Sequence, residues 1–511
     1  MENSLLPDIR LRKVTMTNFR NIEFAEVDFP NGKISDLKEG KSSVLGIYGQ
    51  NGSGKTSVIM ALNALKKALS GWEFDDKFWP SCIRAGCKHA RLEYELTGHS
   101  ESGVTYDIYY GFSMAVENKK SKRQMNVRDV NDASEMFGFG RMFSDSGTRA
   151  VISMLTLTDK RIVIFDEKLE FASSSENGKK LNKQVLIDTS EKACKEAGKA
   201  FGNKTKYEKL TARGNSDIDE FLYEEKIEAK RSALSFIFSE NVVDTLIKSS
   251  EEESYKTVLE SLSKFGKWYL IVIMMDSAAL SSIKLLPLFI WFSFEKEGAA
   301  GGIIPISVIG NSQVEEDQYE LVEKAIESIS NVISTIVPGL ALEINDIGKT
   351  LSEAGEDYHM FELVSNRDGI RIPLAFESDG IRRIVSFTMA LVAAYNNPSV
   401  TLAIDELDSG IFEYMLGELI SIMNESAQGQ LVFTSHNLRP LEVLPFKNLL
   451  FTTVNPEKRF SRLEGISGNN NLRDSYFRSV ALGSGKDAFY NATDKFNIEQ
   501  ALFEAGLPLE D

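Results

Sequence analysis

The chain has 511 residues, 42% of them hydrophobic and 26% charged, the balance of a soluble globular protein with room for two or three domains. Its formal net charge of −16 excludes a general nucleic-acid coat, whose footprint is basic; the clearest basic stretch, Lys119-Lys120-Ser121-Lys122-Arg123, reads as a solvated loop. Three cysteines, Cys82, Cys87 and Cys194, are too few for a disulfide framework, and Cys82 and Cys87 lack the second pair that a zinc site requires.

The opening MENSLLPDIRLRK carries no charged-then-apolar secretory signal, which points to the cytoplasm. Residues 11–30 alternate apolar and polar side chains (Val14, Met16; Phe24, Val27, Phe29) as a β-hairpin or meander does. Val44–Tyr48 reads as a short buried strand. It runs into Gly49-Gln50-Asn51-Gly52-Ser53-Gly54-Lys55-Thr56, the phosphate-loop pattern G-x-x-x-x-G-K-[ST]. A helix follows, with Val58, Leu62, Leu65 and Leu69 on one apolar face.

Ala90–Leu96, Thr105–Ser113 and Arg161–Phe165 read as strands, and Phe171–Lys180 as a linker. From Asn182 to Lys267 the text is charged and helical, without sustained heptads. The apolar runs Trp268–Met275 and Leu285–Phe294 are shorter than the ~20 residues of a spanning helix and are interrupted by Asp276 and Lys284, so they read as buried strands. A glycine loop is expected at Gly298–Gly302, a helix over Glu315–Ile336, and a hairpin over Tyr358–Ile372 turning at Asn366–Gly369. There is no internal repeat.

The strand, glycine loop and helix N-terminus together present backbone N–H groups to an anion, assisted by the helix dipole. The residues that frame the phosphates are Gln50, Asn51, Gly52, Ser53 and Gly54. Lys55 would reach the β and γ phosphates, Thr56 would hold Mg²⁺ through its hydroxyl, and Ser57 would support a phosphate. The acidic partner comes from Val400–Ile404, a second buried strand that ends in Asp405-Glu406, where α/β sheets place their ligands. Asp405 would serve Mg²⁺, and Glu406 would orient and deprotonate water. Upstream, Phe376-Glu377-Ser378-Asp379-Gly380-Ile381-Arg382-Arg383 opens a helix; downstream, Leu431–Ser435 is a strand that ends at His436.

In this order of motifs the chain resembles the ABC-type ATPases of the SMC/RecF branch and, more narrowly, the OLD-like ATPases of bacterial abortive-infection and anti-phage systems. The resemblance covers residues 11–165 and 340–460. It implies an α/β fold, an ABC-type ATPase head with a mixed β-sheet core, and an inserted, largely helical lobe. The head is expected over 1–170 and 341–460, the lobe over 171–340, and a helical tail over 461–511. By the same resemblance, Ser378 and Gly380 stand in the signature motif that contacts the γ-phosphate bound by the opposite protomer. Asp408 stands in the loop that crosses the dimer, His436 is the switch histidine, Arg20 and Asn21 touch the nucleotide, and Gln124 is a candidate for the family's glutamine. Asp379 departs from the transporter-type signature, where a glycine stands, and Arg382-Arg383 replace its polar follow-on.

The implied ligands are ATP and Mg²⁺. The implied partners are a second copy of the chain, a separately encoded effector such as a TOPRIM or other nuclease, and a phage protein or DNA as trigger, with no membrane. Two other readings compete: a DNA-maintenance ATPase that clamps DNA in the manner of RecF or SMC heads, and a nucleotide-binding module with negligible hydrolysis, against which the pair Asp405-Glu406 speaks.

Overall fold

The computed structural model describes residues 8–75, 78–100, 103–118, 160–174, 181–211, 216–274, 285–294, 298–307, 310–351, 357–453, 455, 457–462, 473 and 495–505. The basic stretch 119–123 and Gln124 lie outside the described residues.

In chain order the first half holds β1 (Asp8–Phe19), β2 (Ile22–Asp28), β3 (Ser43–Tyr48), α1 (Lys55–Ser70), β4 (His89–His99), β5 (Thr105–Asn118), β6 (Lys160–Ser173) and β7 (Gln184–Asp188). Five helices follow, α2 (Glu191–Ala197), α3 (Lys204–Leu210), α4 (Ser216–Arg231), α5 (Glu240–Ser249) and α6 (Glu253–Lys264), then β8 (Leu270–Ile273), β9 (Leu285–Phe294) and β10 (Gly298–Ser307). The rest is β11 (Ser312–Glu315), α7 (Glu316–Ile336), β12 (Leu340–Leu351), β13 (Asp357–Arg367), β14 (Ile370–Pro373), α8 (Asp379–Asn396), β15 (Thr401–Ile404), α9 (Glu413–Ser426), β16 (Gln430–Thr434), β17 (Leu449–Thr452) and β18 (Phe460–Ser461), with a last helix at Lys495–Ala505.

The central sheet has the order β18-β17-β3-β16-β15-β8, parallel throughout except for the edge strand β18. Its inner strands are unbroken buried runs (SVLGIY, TLAI, QLVFT, LLFT), the pattern of a parallel sheet covered on both faces. A second sheet, β2-β1-β4-β5-β6-β7, is antiparallel. Helix α1 is buried well beyond the apolar stripe read from the sequence: Ile59, Met60, Ala61, Ala64 and Ala68 are buried too. Helices of this kind belong to the interior rather than the surface, and the Tyr94 hydroxyl of β4 donates to the Ala61 carbonyl at 2.6 Å.

The two sheets are joined by polar groups that mimic strand pairing. The Gln430 side chain accepts from Leu11 N and donates to Leu11 O, both at 2.8 Å. Fully buried Arg10 donates to the carbonyls of Asn31, Lys41 and Gln428, and burial pulls its pKa down to about 10.

Residues 171–340, read as one inserted lobe, instead divide between sheets. Strand β7 extends the antiparallel sheet, and β8 completes the central sheet, with Leu270–Ile273 parallel to Thr401–Ile404. The run Leu270-Ile-Val-Ile273 is the short apolar text that a parallel core strand needs. The expected glycine loop at 298–302 is part of β10, where Gly301 and Gly302 stand opposite Trp291 and Ile290 of β9. The hairpin of β13 and β14 turns at Asp368-Gly369, both at positive φ, as a two-residue hairpin loop requires.

Candidate functional site

Strand β3 delivers the chain into the loop Gly49–Gly54, and α1 begins at Lys55. Gly54 caps α1 in the left-handed region, at φ 107°, and Gly52 has φ 74°. Gly49 is needed for space: a Cβ there would lie 1.6 Å from Thr452 Oγ1. Lys55 is 6% exposed and donates to the carbonyls of Gly49 (2.7 Å) and Gln50 (3.2 Å). Its ammonium therefore lies along the loop that a phosphate would fill. Burial lowers the Lys55 pKa from the ordinary lysine value, against the opposing pull of Asp405, Glu406 and Asp408.

The acidic pair follows β15, the neighbour of β16, which in turn neighbours β3. Asp405 is 3% exposed, and its Oδ1 accepts from the hydroxyls of Thr434 (2.6 Å) and Thr56 (3.2 Å). A serine/threonine hydroxyl meeting a carboxylate beside the phosphate loop is a hard-oxygen donor set that fits Mg²⁺. Glu406 sits at φ 49°, a left-handed conformation costly for a non-glycine residue. Two groups hold it there. Its N–H donates to Thr434 Oγ1 at 2.7 Å, and Arg383 donates to the backbone carbonyls of Asp405 (3.0 Å) and Glu406 (2.6 Å).

Asn21 of the two-residue β1–β2 turn reaches the same loop. Its amide donates to Gly52 O at 2.5 Å, and its Oδ1 accepts from Ser57 at 3.3 Å. Arg20, beside it, has φ 53°, and its Nη1 is buried without a hydrogen-bond partner among the described residues. The structure thus brings Asn21, the 49–57 loop and Asp405-Glu406 together.

Ser378 and Gly380 make a different neighbourhood. Ser378 Oγ accepts from Ile381 N at 3.3 Å as the N-cap of α8. Gly380 packs so closely on the Leu407–Gly410 turn that a Cβ would lie 2.2 Å from Gly410 O. Asp408, expected to reach across a dimer, ties this turn to its own chain: Oδ2 accepts from His436 N (3.1 Å) and Asn437 N (2.9 Å). A free carboxylate beside two open N–H groups at a strand end satisfies them in cis. The His436 side chain is exposed.

Sequence reasoning missed four residues. Thr434 closes the LVFT strand, and only its place opposite the acidic pair in a parallel sheet marks it. Arg383 was legible as a departure from the signature pattern, but not as a brace. Thr452 and Arg459 lie beyond the last motif; the Thr452 hydroxyl shares a hydrogen bond with Ser53 Oγ at 2.5 Å.

A parallel sheet that feeds a glycine loop into a helix, with a carboxylate from an adjacent strand beside the loop, defines a P-loop nucleotide-binding protein. A family profile described as "AAA ATPase domain" matches residues 10–439, and the chain belongs to that family. No curated protein sequence matches it. Similar solved structures include an Smc head bound to the C-winged helix domain of ScpA (10% identity over 89% of this chain and 97% of that one, TM-score 0.35). An SMC head domain from Thermotoga maritima is 13% identical over 89% of this chain and 100% of that one, with TM-score 0.31. The recombination mediator RecF with ATP is 13% identical over 84% of this chain and 92% of that one, with TM-score 0.32. These likenesses are loose; the α/β architecture stands on the strands and helices described above.

Proposed function

We propose that this ATPase hydrolyses ATP with Mg²⁺ at sites shared between two copies of the chain, as a sensor and scaffold that restrains a separately encoded effector, a TOPRIM or other nuclease, in bacterial anti-phage defence. The observation that carries the hydrolase reading is the hydrogen bond from Thr56 to Asp405, 349 residues apart, beside buried Lys55. The loop N–H groups and Lys55 would hold the triphosphate, and Thr56 and Asp405 would hold the metal. A bound Mg²⁺ ion would neutralise charge on the phosphate oxygens. Glu406 accepts the proton of the attacking water. Its backbone is held by Thr434 and Arg383, so the carboxylate starts from a fixed point.

The shared site is supported by what surrounds Ser378. Phe376 is 80% exposed, Phe412 70% and Tyr414 61%, on the segments that meet at Gly380 and Gly410. Large exposed rings grouped near one helix N-terminus mark a docking face. A second copy docked there would add the Ser378 hydroxyl and that N-terminus to the γ-phosphate. The defence role rests on the resemblance of the motif order to OLD-like ATPases, with a phage protein or DNA as trigger. Among the described residues no helix is long and apolar enough to cross a membrane.

The test is phage challenge of bacteria carrying the gene with its natural neighbours. Protection that disappears with Lys55→Ala supports the reading. ATPase activity stimulated by DNA, without any protection, replaces it with a DNA clamp.

A further inference from the structure

The last hairpin of the central sheet grips the phosphate loop, although it lies beyond every recognisable motif. Strand β17 runs parallel to β3, with Phe451 paired to Tyr48, so Thr452 arrives beside Gly49. Its hydroxyl bonds Ser53 Oγ at 2.5 Å and donates to Tyr48 O at 3.2 Å. The chain then turns back into β18, with Thr453 N donating to Arg459 O at 2.8 Å. From there the Arg459 side chain spans two segments: Nη1 donates to Thr453 O and Nη2 to Asn21 O, both at 3.0 Å. Its Cγ and Cδ lie 3.4 and 3.6 Å from where a Cβ on Gly54 would be. Asn21, held in this way, carries the amide that donates to Gly52 O and the oxygen that accepts from Ser57.

Building on the nucleotide-site reading, we propose that Arg459 is a positioning residue of the ATP site: it fixes the Asn21 turn against Gly52–Ser57 and thereby holds the phosphate loop in its binding shape. The planar guanidinium suits this task because one rigid fork reaches two carbonyls 432 positions apart in sequence (453 and 21). A glycine-rich loop pays conformational entropy to become ordered, and two clamps on its flanks, Thr452 on Ser53 and Arg459 through Asn21, remove that cost before ligand arrives.

The experiment is titration of the full-length protein with a fluorescent ATP analogue, alongside steady-state kinetics and thermal melting. Arg459→Met should weaken nucleotide binding and raise KM about tenfold, the size of one charge-assisted hydrogen bond, with kcat within about twofold of wild type. Arg459→Lys, which keeps the charge but cannot span both carbonyls, should recover only part of the affinity. Because Arg459 acts through Asn21, Asn21→Ala combined with Arg459→Met should bind no worse than the weaker single variant. Wild-type affinity in Arg459→Met, or losses that add in the double variant, would overturn the inference. If Arg459→Met does not fold, Arg459→Lys with wild-type affinity overturns it equally. Failure of the wild-type protein itself to bind the analogue would instead sink the underlying site reading, so the two failures are distinguishable.

Discussion

Two neighbourhoods of the candidate site differ in how far the chain itself satisfies them. Around Lys55, Thr56 and Asp405 the polar atoms are buried or half-buried and bonded to one another, to Thr434 and to loop carbonyls. Around Ser378 the only bond of the hydroxyl among those described is to its own helix, and Phe376, Phe412 and Tyr414 face outward. Arg383 links the two, starting in α8 and ending on the carbonyls of Asp405 and Glu406. On the proposed reading, the first neighbourhood binds a nucleotide without help. The second has its geometry built but its apolar surface unspent, which is what a face awaiting a partner looks like.

The largest effect should come from breaking the buried half. Lys55→Ala removes the ammonium that now lies on Gly49 O and Gln50 O. Charge-assisted hydrogen bonds contribute about 1.5–3 kcal/mol each, so loss of two should weaken ATP binding at least ~100-fold by calorimetry. Equal affinity in both proteins would move the site elsewhere. Glu406→Gln separates binding from chemistry within the same half. The amide keeps the shape but accepts no proton, so phosphate release should slow at least ~100-fold while affinity is retained.

What the sequence made legible follows the same division. The phosphate loop, the strand before it and the acidic pair are local text: contiguous residues whose spacing carries the chemistry. Most strands of the antiparallel sheet were legible too: alternation marks β1 and β2, and Ala90–Leu96, Thr105–Ser113 and Arg161–Phe165 read as strands, whereas their pairing and β7 did not show. The roles of Thr434, Arg383, Thr452 and Arg459 were not, since each acts on residues that only the sheet order brings near. Thr434 is 29 residues from Asp405, and Arg459 438 from Asn21. The bonds of Asp408 within its own chain were hidden for a related reason: the open N–H groups of His436 and Asn437 were invisible until the strand end was seen beside the turn. The glycine run at 298–302 misled because composition reads it as a loop, whereas its backbone pairs in register with β9 as a strand.

A smaller effect sharpens the account of the buried half. Desolvation holds the Lys55 pKa below that of an ordinary lysine, whereas a bound triphosphate favours the ammonium and raises it. Binding is therefore coupled to proton uptake once pH rises through the lowered value. ATP affinity should be flat at neutral pH and begin to fall on the alkaline side earlier than a solvent-exposed lysine would dictate. Calorimetry in buffers of different ionisation heat measures the protons taken up; none at any alkaline pH would contradict the coupling.

On the exposed half, Phe412→Ser should leave the monomer intact. Phe412 is the N-cap of α9 with no side-chain cap bond, and serine is a preferred N-cap, so the melting temperature should hold or rise slightly. ATP-dependent association, followed by light scattering, should weaken. A stability loss with association unchanged would make the ring a packing residue and remove it from the docking face.

The finest distinction between the halves is whether they serve one nucleotide in one chain or two. Ser378→Arg places a bulky cation at the N-cap of α8 and leaves Lys55 and Thr56 untouched, so this variant should bind ATP in its own loop yet fail to hydrolyse it. Lys55→Ala fails for the opposite reason. When the two are mixed under conditions of subunit exchange, a two-fold dimer of unlike chains has one site with both lesions and one with neither. Half of the dimers in an equal mixture are of this kind, so phosphate release should return to at most about a quarter of the wild-type rate. If Ser378 serves the loop of its own chain, every site keeps one lesion and nothing returns. Silence from mixed dimers whose formation is confirmed by mass would end the shared-site reading and leave Ser378 as an ordinary helix cap, its exposed aromatic neighbours then requiring a partner other than a second copy.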